Sequence, residues 1–325
     1  MLPYIAFFYP NCTIPGRKIK IECMPCFLTC FLSYFSKYPL NLKRISAIIN
    51  LSPERINKVM VFSLEFLFLF VAALLISSIG FKNYVWFISL GYGFSIAGEG
   101  ILMLILFSNQ ITIGTIICSV LFIIYGCRLG GYLLSREIGN NSYKKNMKGE
   151  IKEGSTVPFG VKVAIWITCA LLYVTQTSGV MYRLQNAATD NVWVYVGAGV
   201  MVLGLVLESV ADIQKNNAKK KNPRRFVDTG LYKFVRCPNY LGEMIFWTGV
   251  LLSGIGAVTG WQWAIVAVGY IGIIFVMFSG ARRLELRQNK NYGNDPEYQK
   301  YVKTVPIMVP FIPLYSVEKF KWLVA

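Results

Sequence analysis

The densest concentration of reactive side chains in this sequence lies between Glu208 and Glu243. Glu208, Asp212, Lys215 and Lys219 recur at three- and four-residue spacing, which puts them on one polar face of a helix. Pro223 ends that helix, and Pro238 is suited to open the next, with Asn239, Tyr240 and Glu243 in its first turns. Two helix ends therefore face each other across a basic turn containing Gly230. Anionic phosphates suit Lys219, Arg225, Arg236 and the amino terminus of the second helix, while Asp212, Asn239 and Glu243 suit ribose hydroxyls or an amide. A solvated loop beside anionic lipid would carry the same cations. Glu208, Asp212 and Glu243 speak against it, because a lipid-binding patch has no need of carboxylates on its own face.

The second concentration is sparse and set in apolar sequence. Glu65 and Glu99 are the two carboxylates deep in the amino-terminal half, where a charge at mid-bilayer costs on the order of 2.5–3.5 kcal/mol. Glu99 closes the run Gly91-Tyr92-Gly93-Phe94-Ser95-Ile96-Ala97-Gly98-Glu99-Gly100, whose small residues permit close approach of a helix or a ligand. Tyr92, about two turns earlier, lies on the same face. Two readings stand: a carboxyl hydrogen-bonded to a neighbouring helix, or a catalytic acid that polarises a carbonyl or donates a proton, with Tyr92 sharing the work.

Several chemistries are excluded or weakened. The chain has no histidine, which removes imidazole acid–base catalysis, His-based triads and His metal sites. Cys23-x-x-Cys26 lacks a second pair, so its ligand set for zinc is incomplete. Gly254-x-Gly256-x-x-x-Gly260 has the wrong spacing for a nucleotide-binding glycine loop and reads as helix packing or a loop. Gly126-x-x-x-Gly130 has the spacing of a helix contact. The net charge of +17 does not imply nucleic acid, because the Lys and Arg residues are confined to links between apolar spans.

The elements that must position these groups are membrane helices. The 325 residues are 55% hydrophobic with mean hydropathy +0.49, too apolar for a soluble domain of this length. The expected fold class is all-α, a polytopic bundle of about seven transmembrane helices: Met60 to Gly80, Val85 to Phe107, Ile111 to Leu134, Phe159 to Met181, Val192 to Leu207, Leu241 to Ala257 and Trp261 to Gly280. The basic segments Ser135 to Pro158, Glu208 to Tyr240 and the tail after Gly280 fall on one side, which the positive-inside rule makes cytoplasmic, carboxyl terminus included. Residues 1–59 conflict with that rule, being basic yet translocated. The expectation is that they are an extension upstream of a true start at Met60, or that the short apolar run Cys23 to Phe35 is interfacial or an inefficient signal segment. Residues 60–325 are expected to form a single membrane domain.

With these residues in place, a family resemblance appears. Glu208-x-x-x-Asp212-x-Gln214-Lys215 followed by Asp228-Thr-Gly230-Leu-Tyr-Lys-Phe-Val-Arg236-Cys237-Pro238-Asn239-Tyr240-Leu-Gly242-Glu243 resembles the carboxyl-terminal domain of the steroid 5-alpha-reductase family, in particular its bacterial branch. Tyr125-Gly-Cys-Arg128-Leu129, Ser279-Gly-Ala-Arg282-Arg283-Leu-Glu285, Asp295-Pro-Glu-Tyr298-Gln-Lys-Tyr301 and Pro306 to Pro313 look like further segments of that branch, so the resemblance covers 111–313. It implies a seven-helix membrane fold that binds NADPH on its cytoplasmic side and reduces an electron-poor double bond of a lipid-like substrate. By residue, it implies nucleotide contacts at Asp212, Lys219, Arg225, Asn239, Glu243 and Arg282, with Arg236, Tyr240 and Arg128 at motif positions. Cys237 departs from the branch, which has His there, and the amino-terminal half carries no matching motif. The roles of Glu99 and Tyr92 thus rest on the residues alone.

Three functions follow from this reading. The first is an NADPH-dependent reductase of an enone or alkene in a steroid, isoprenoid or fatty-acyl compound. The second is an S-adenosylmethionine-dependent membrane methyltransferase, since isoprenylcysteine carboxyl methyltransferases share a similar Arg-His-Pro-x-Tyr motif; Asn239 and Asp212-x-Gln214-Lys215 favour the reductase. The third is a non-enzymatic lipid-binding protein, kept open by Cys237 in place of His.

Overall fold

A computed structural model describes residues 13–14, 17–18, 63–139 and 157–323. Cys23, Cys26 and Met60 lie outside the described residues, and so do the expectations built on them. The chain divides into two units, Met1–Ile56 and Asn57–Ala325. Of the first, the described residues are two short antiparallel strands, β1 (Thr13–Ile14) and β2 (Arg17–Lys18).

Every regular element among the second unit's described residues is helical. α1 (Leu64–Ser77) starts where Ser63 accepts a hydrogen bond from the Phe66 N–H at 3.2 Å. Glu65 sits in this first turn, at the helix end and partly exposed, rather than deep in the apolar half as its sequence position implied. Two short 3₁₀ turns lead to α2 (Leu90–Leu106), followed by α3 (Ile113–Gly139), α4 (Phe159–Gln185), α5 (Val192–Lys221), α6 (Pro238–Ser253), α7 (Gln262–Tyr292) and α8 (Pro296–Thr304).

Six helical segments are long and apolar enough to cross a membrane, which makes this an integral, multi-pass membrane protein. The seventh expected span corresponds to α6, whose 16 residues reach only about 24 Å. It stops early because Gly254 caps it, and Gly256 then takes φ +75, a conformation that leaves the helix. The glycine run there is a loop. α5 and α7, of 30 and 31 residues, instead overrun their apolar stretches and carry the polar residues out on the basic side.

Two close helix contacts set the site's dimensions. Gly126 and Gly130 of α3 lie against Gly93 and Ala97 of α2, so the helix contact read from their spacing is present. On α5 and α6, Gly197 faces Gly249 and Gly204 faces Gly242. A β-carbon at Gly242 would stand 2.6 Å from the Glu208 backbone nitrogen and 2.9 Å from its Cβ. That approach brings the Glu208 and Glu243 helix faces together inside the bundle.

Candidate functional site

Four helices converge on one buried polar cluster. α2 contributes Tyr92, α3 contributes Tyr125 and Arg128, α5 contributes Glu208 and Asp212, and α6 contributes Glu243 and Trp247. The Tyr92 phenol donates to Glu243 Oε1 at 2.8 Å and accepts from the Trp247 indole N–H at 2.9 Å. The Tyr125 hydroxyl lies 2.9 Å from the same Glu243 oxygen and 3.0 Å from the Tyr92 oxygen. Having one proton, it can donate to only one of them at a time. Rings close the cluster against water: Tyr125 stacks on Phe246 at 4.4 Å, and Tyr92 packs on Tyr173 of α4 at 5.2 Å.

One turn further towards the basic side, Arg128 bridges two carboxylates, with Nη1 2.6 Å from Glu208 Oε1 and Nη2 on Asp212 Oδ2. This pair of bonds explains why Glu208 and Asp212 are tolerated inside an apolar bundle, since a buried charge needs a partner and hydrogen bonds. Glu208 Oε2 and Asn239 Oδ1 are buried with no hydrogen-bond partner. Asn239 and Glu243 are four residues apart, on one face of α6.

The structure joins the two sequence concentrations, but not in the expected pairing. Tyr92 pairs with Glu243 rather than working on one group with Glu99. Glu99, fully buried, takes its own bond from Thr177 of α4 at 2.6 Å, and its Oε1 has no partner. Tyr125 and Trp247 were missed as members of the site. Tyr125 opens the segment Tyr125-Gly-Cys-Arg128-Leu129 that carries part of the resemblance, and Trp247 sits one turn after Glu243, so that spacing is the signal for it.

The remaining expected contacts spread over the basic face. Lys219 Nζ donates to the Arg225 carbonyl at 2.5 Å and to the Tyr292 hydroxyl at 2.9 Å. Arg225 is exposed and forks between Glu297 at 2.5 Å and Asp228 at 2.8 Å, which raises its pKa further. Arg225 and Asp228 also line an open cleft of about 440 Å³, together with Gln214, Asn217, Lys221 and Gly230. Gly230 has φ +64, and a β-carbon there would collide with the Gln214 amide, whose Oε1 accepts from the Leu231 N–H at 2.8 Å.

Arg236 is 3% exposed, bonded to Glu285 at 2.9 Å and to the Tyr315 carbonyl. Arg282 donates to the Glu318 and Leu323 carbonyls, both at 3.0 Å. Tyr240 lies beside Gly280 of α7. Cys237 is buried at the start of α6, and burial pushes its thiol up to about 11.

A protein-family model described as "Protein of unknown function (DUF1295)" matches residues 69–305. The chain is 31% identical over 121 residues to a very-long-chain enoyl-CoA reductase of Dictyostelium discoideum, covering 37% of this chain and 36% of that protein. It is 22% identical over 173 residues to 3-oxo-5-alpha-steroid 4-dehydrogenase 1 of Bos taurus, covering 50% of this chain and 60% of the relative. Against the Rattus norvegicus protein of the same name it is 24% identical over 142 residues, covering 40% and 48%. The matches thus span between 36% and 60% of these relatives' lengths. No solved structure matches the chain significantly.

Proposed function

The chain belongs to the DUF1295 family, which is steroid 5-alpha-reductase-like, and from that premise we propose that it is a membrane-embedded, NADPH-dependent reductase of an electron-poor carbon–carbon double bond in a steroid, isoprenoid or other lipid-like enone. The observation that carries this reading is the hydrogen bond between Tyr92 and Glu243. It joins the acid of the amino-terminal half to the motif carboxylate of the carboxyl-terminal half, so a proton donor and a nucleotide motif meet in one dry cluster.

The residues present suit a nicotinamide dinucleotide. Asn239 Oδ1 and Glu208 Oε2 are buried acceptors without donors, each costing about 1–3 kcal/mol, and a carboxamide or ribose hydroxyl relieves that cost. Lys219 and Arg225 offer cations for phosphates beside the 440 Å³ cleft. The Arg225 ion pairs with Asp228 and Glu297 are exposed and worth at most about 1 kcal/mol each, so phosphates displace them easily. Asp212, Asn239, Tyr240 and Glu243 offer further polar groups to the nucleotide. Arg236 and Arg282 hold the carboxyl-terminal tail through the Tyr315, Glu318 and Leu323 carbonyls. When bound, the cofactor supplies the hydride.

The chain's own chemistry lies with Tyr92. Its oxygen accepts from Trp247, which makes the phenol a better donor, and a substrate carbonyl replaces Glu243 as the acceptor. Tyr125 then satisfies the Glu243 oxygen that Tyr92 releases, so the carboxyl is not stranded. Glu99, with its free oxygen deeper in α2, is a second polar partner for the substrate. The carboxyl terminus and the basic links are cytoplasmic in this reading, where the cofactor is available.

The test is titration of the purified protein in nanodiscs with NADPH and, separately, S-adenosylmethionine. Binding of NADPH that Asn239→Ala and Arg225→Ala both weaken, together with loss of NADPH in the presence of an enone, supports the reading. Tight binding of S-adenosylmethionine alone overturns it.

A further inference from the structure

Residues 305–323 form a tail whose largest apolar side chains the bundle leaves uncovered. Phe311 is 101% exposed and Trp322 is 67% exposed, with Ile312 half-exposed beside the first. The loop that carries Phe311 is nevertheless fixed. Its base is closed by Ile307 N–H donating to the Leu314 carbonyl at 2.9 Å. Its root is tied to the start of α6 by Arg236 N–H on Pro306 and Cys237 N–H on Ile307, both at 2.9 Å. Pro310 and Pro313 stiffen the loop on either side of the tip.

At that tip Phe311 has φ +68, the left-handed region in which a side chain is strained and glycine is not. A glycine would make this turn at lower cost. The loop's own bonds hold that strain, and the ring is left presented outward, free for a contact outside the bundle.

Trp322 places the far end of the tail. Its ring stacks on Phe275 of α7, centroids 6.1 Å apart, and Phe275 belongs with Val268 and Ile271 to the outward, apolar side of that membrane-crossing helix. Phe275 is five residues before Gly280, where the apolar run ends, or about 7.5 Å along the helix axis. That is the depth of the aromatic belt at a membrane surface. The exposed cations Lys319 and Lys321 stand beside Trp322 in the chain, and Arg283 and Arg287 follow Phe275 on α7.

We propose that the tail is a peripheral membrane anchor. The Phe311–Ile312 tip and Trp322 seat in the boundary between headgroups and acyl chains of the leaflet on the basic side, and Lys319 and Lys321 meet anionic lipid phosphates. This rests on the chain's place in the membrane and not on its being a reductase, so the two readings stand or fall separately.

A dansyl-bearing amino acid placed at position 311 of the full chain, and at exposed position 300 as the comparison, tests it in nanodiscs. Discs of phosphatidylcholine, with and without phosphatidylglycerol, are made with acyl chains brominated near the headgroup. The expected result is blue-shifted emission at 311 that bromine quenches, more strongly with phosphatidylglycerol, and neither effect at 300. Lys319→Glu with Lys321→Glu should remove the added quenching from phosphatidylglycerol. Emission at 311 that matches position 300 and ignores bromine overturns the anchor. Unchanged quenching in the double variant overturns the role of the lysines.

Discussion

Removing one oxygen atom, by Tyr92→Phe, separates the stabilising role of the central cluster from its chemical role. The phenol accepts from Trp247 at 2.9 Å and donates to Glu243 at 2.8 Å. Without it, the Trp247 N–H loses the acceptor it meets at 2.9 Å, a cost of about 1–3 kcal/mol. Glu243 keeps the Tyr125 donor at 2.9 Å, so its share of the loss is about 1 kcal/mol. The variant should therefore be destabilised by about 2–4 kcal/mol in all, read as a lower thermal unfolding midpoint in nanodiscs, while NADPH affinity is unchanged. Loss of a positioned proton donor should lower kcat by about 100- to 10,000-fold, far more than a partly destabilised but folded population explains. Tyr125→Phe is the control. It leaves the Trp247–Tyr92–Glu243 chain whole at rest but removes the donor that satisfies Glu243 when Tyr92 turns to the substrate, so kcat should fall by about 10- to 100-fold, less than in Tyr92→Phe. Full turnover by folded Tyr92→Phe refutes the reasoning, and so does a turnover loss that only follows loss of NADPH binding.

Other outcomes follow from the same geometry. Arg128→Met strands Glu208 and Asp212 and should cost about 3–5 kcal/mol, whereas replacing all three with apolar residues should recover much of that, as chemical unfolding would show. Arg236→Met leaves Glu285 without its cation, keeping only the Val317 N–H, and frees the Tyr315 carbonyl; limited proteolysis should then cut the tail after residue 305 faster than in the parent. Gly204→Val forces α5 away from Gly242 and should abolish folding, while Gly199→Val, with open space around it, should be tolerated in thermal unfolding. The Cys237 thiol, pushed up to about 11, has a thiolate fraction near one in a thousand at pH 8; peptide mapping after maleimide treatment should find it unmodified until the protein unfolds.

Much of this organisation is visible in the sequence. Apolar length alone placed a helix under each expected span, because a bilayer leaves the backbone no alternative. Gly126-x-x-x-Gly130 and the proline at the start of α6 read correctly for equally local reasons. What was not legible depends on contacts between helices. Nothing in the neighbourhood of Tyr92 announces Glu243, 151 residues away, and helical spacing favoured Glu99 because that residue shares its face. The early end of α6 was hidden because Ile255 and Ala257 keep the sequence apolar after the glycines have broken the helix. Arg236 looked like a phosphate ligand from its charge; only the fold shows that Glu285 has taken that charge.

The most direct measurement of the central claim is the fate of a labelled hydride. Protein in nanodiscs, given an enone lipid and NADPH carrying deuterium at the transferable position of its nicotinamide, should yield a saturated product with one deuterium on carbon, and Tyr92→Phe should yield almost none. A product without deuterium, or no reduction of any enone by protein that binds NADPH, contradicts the account.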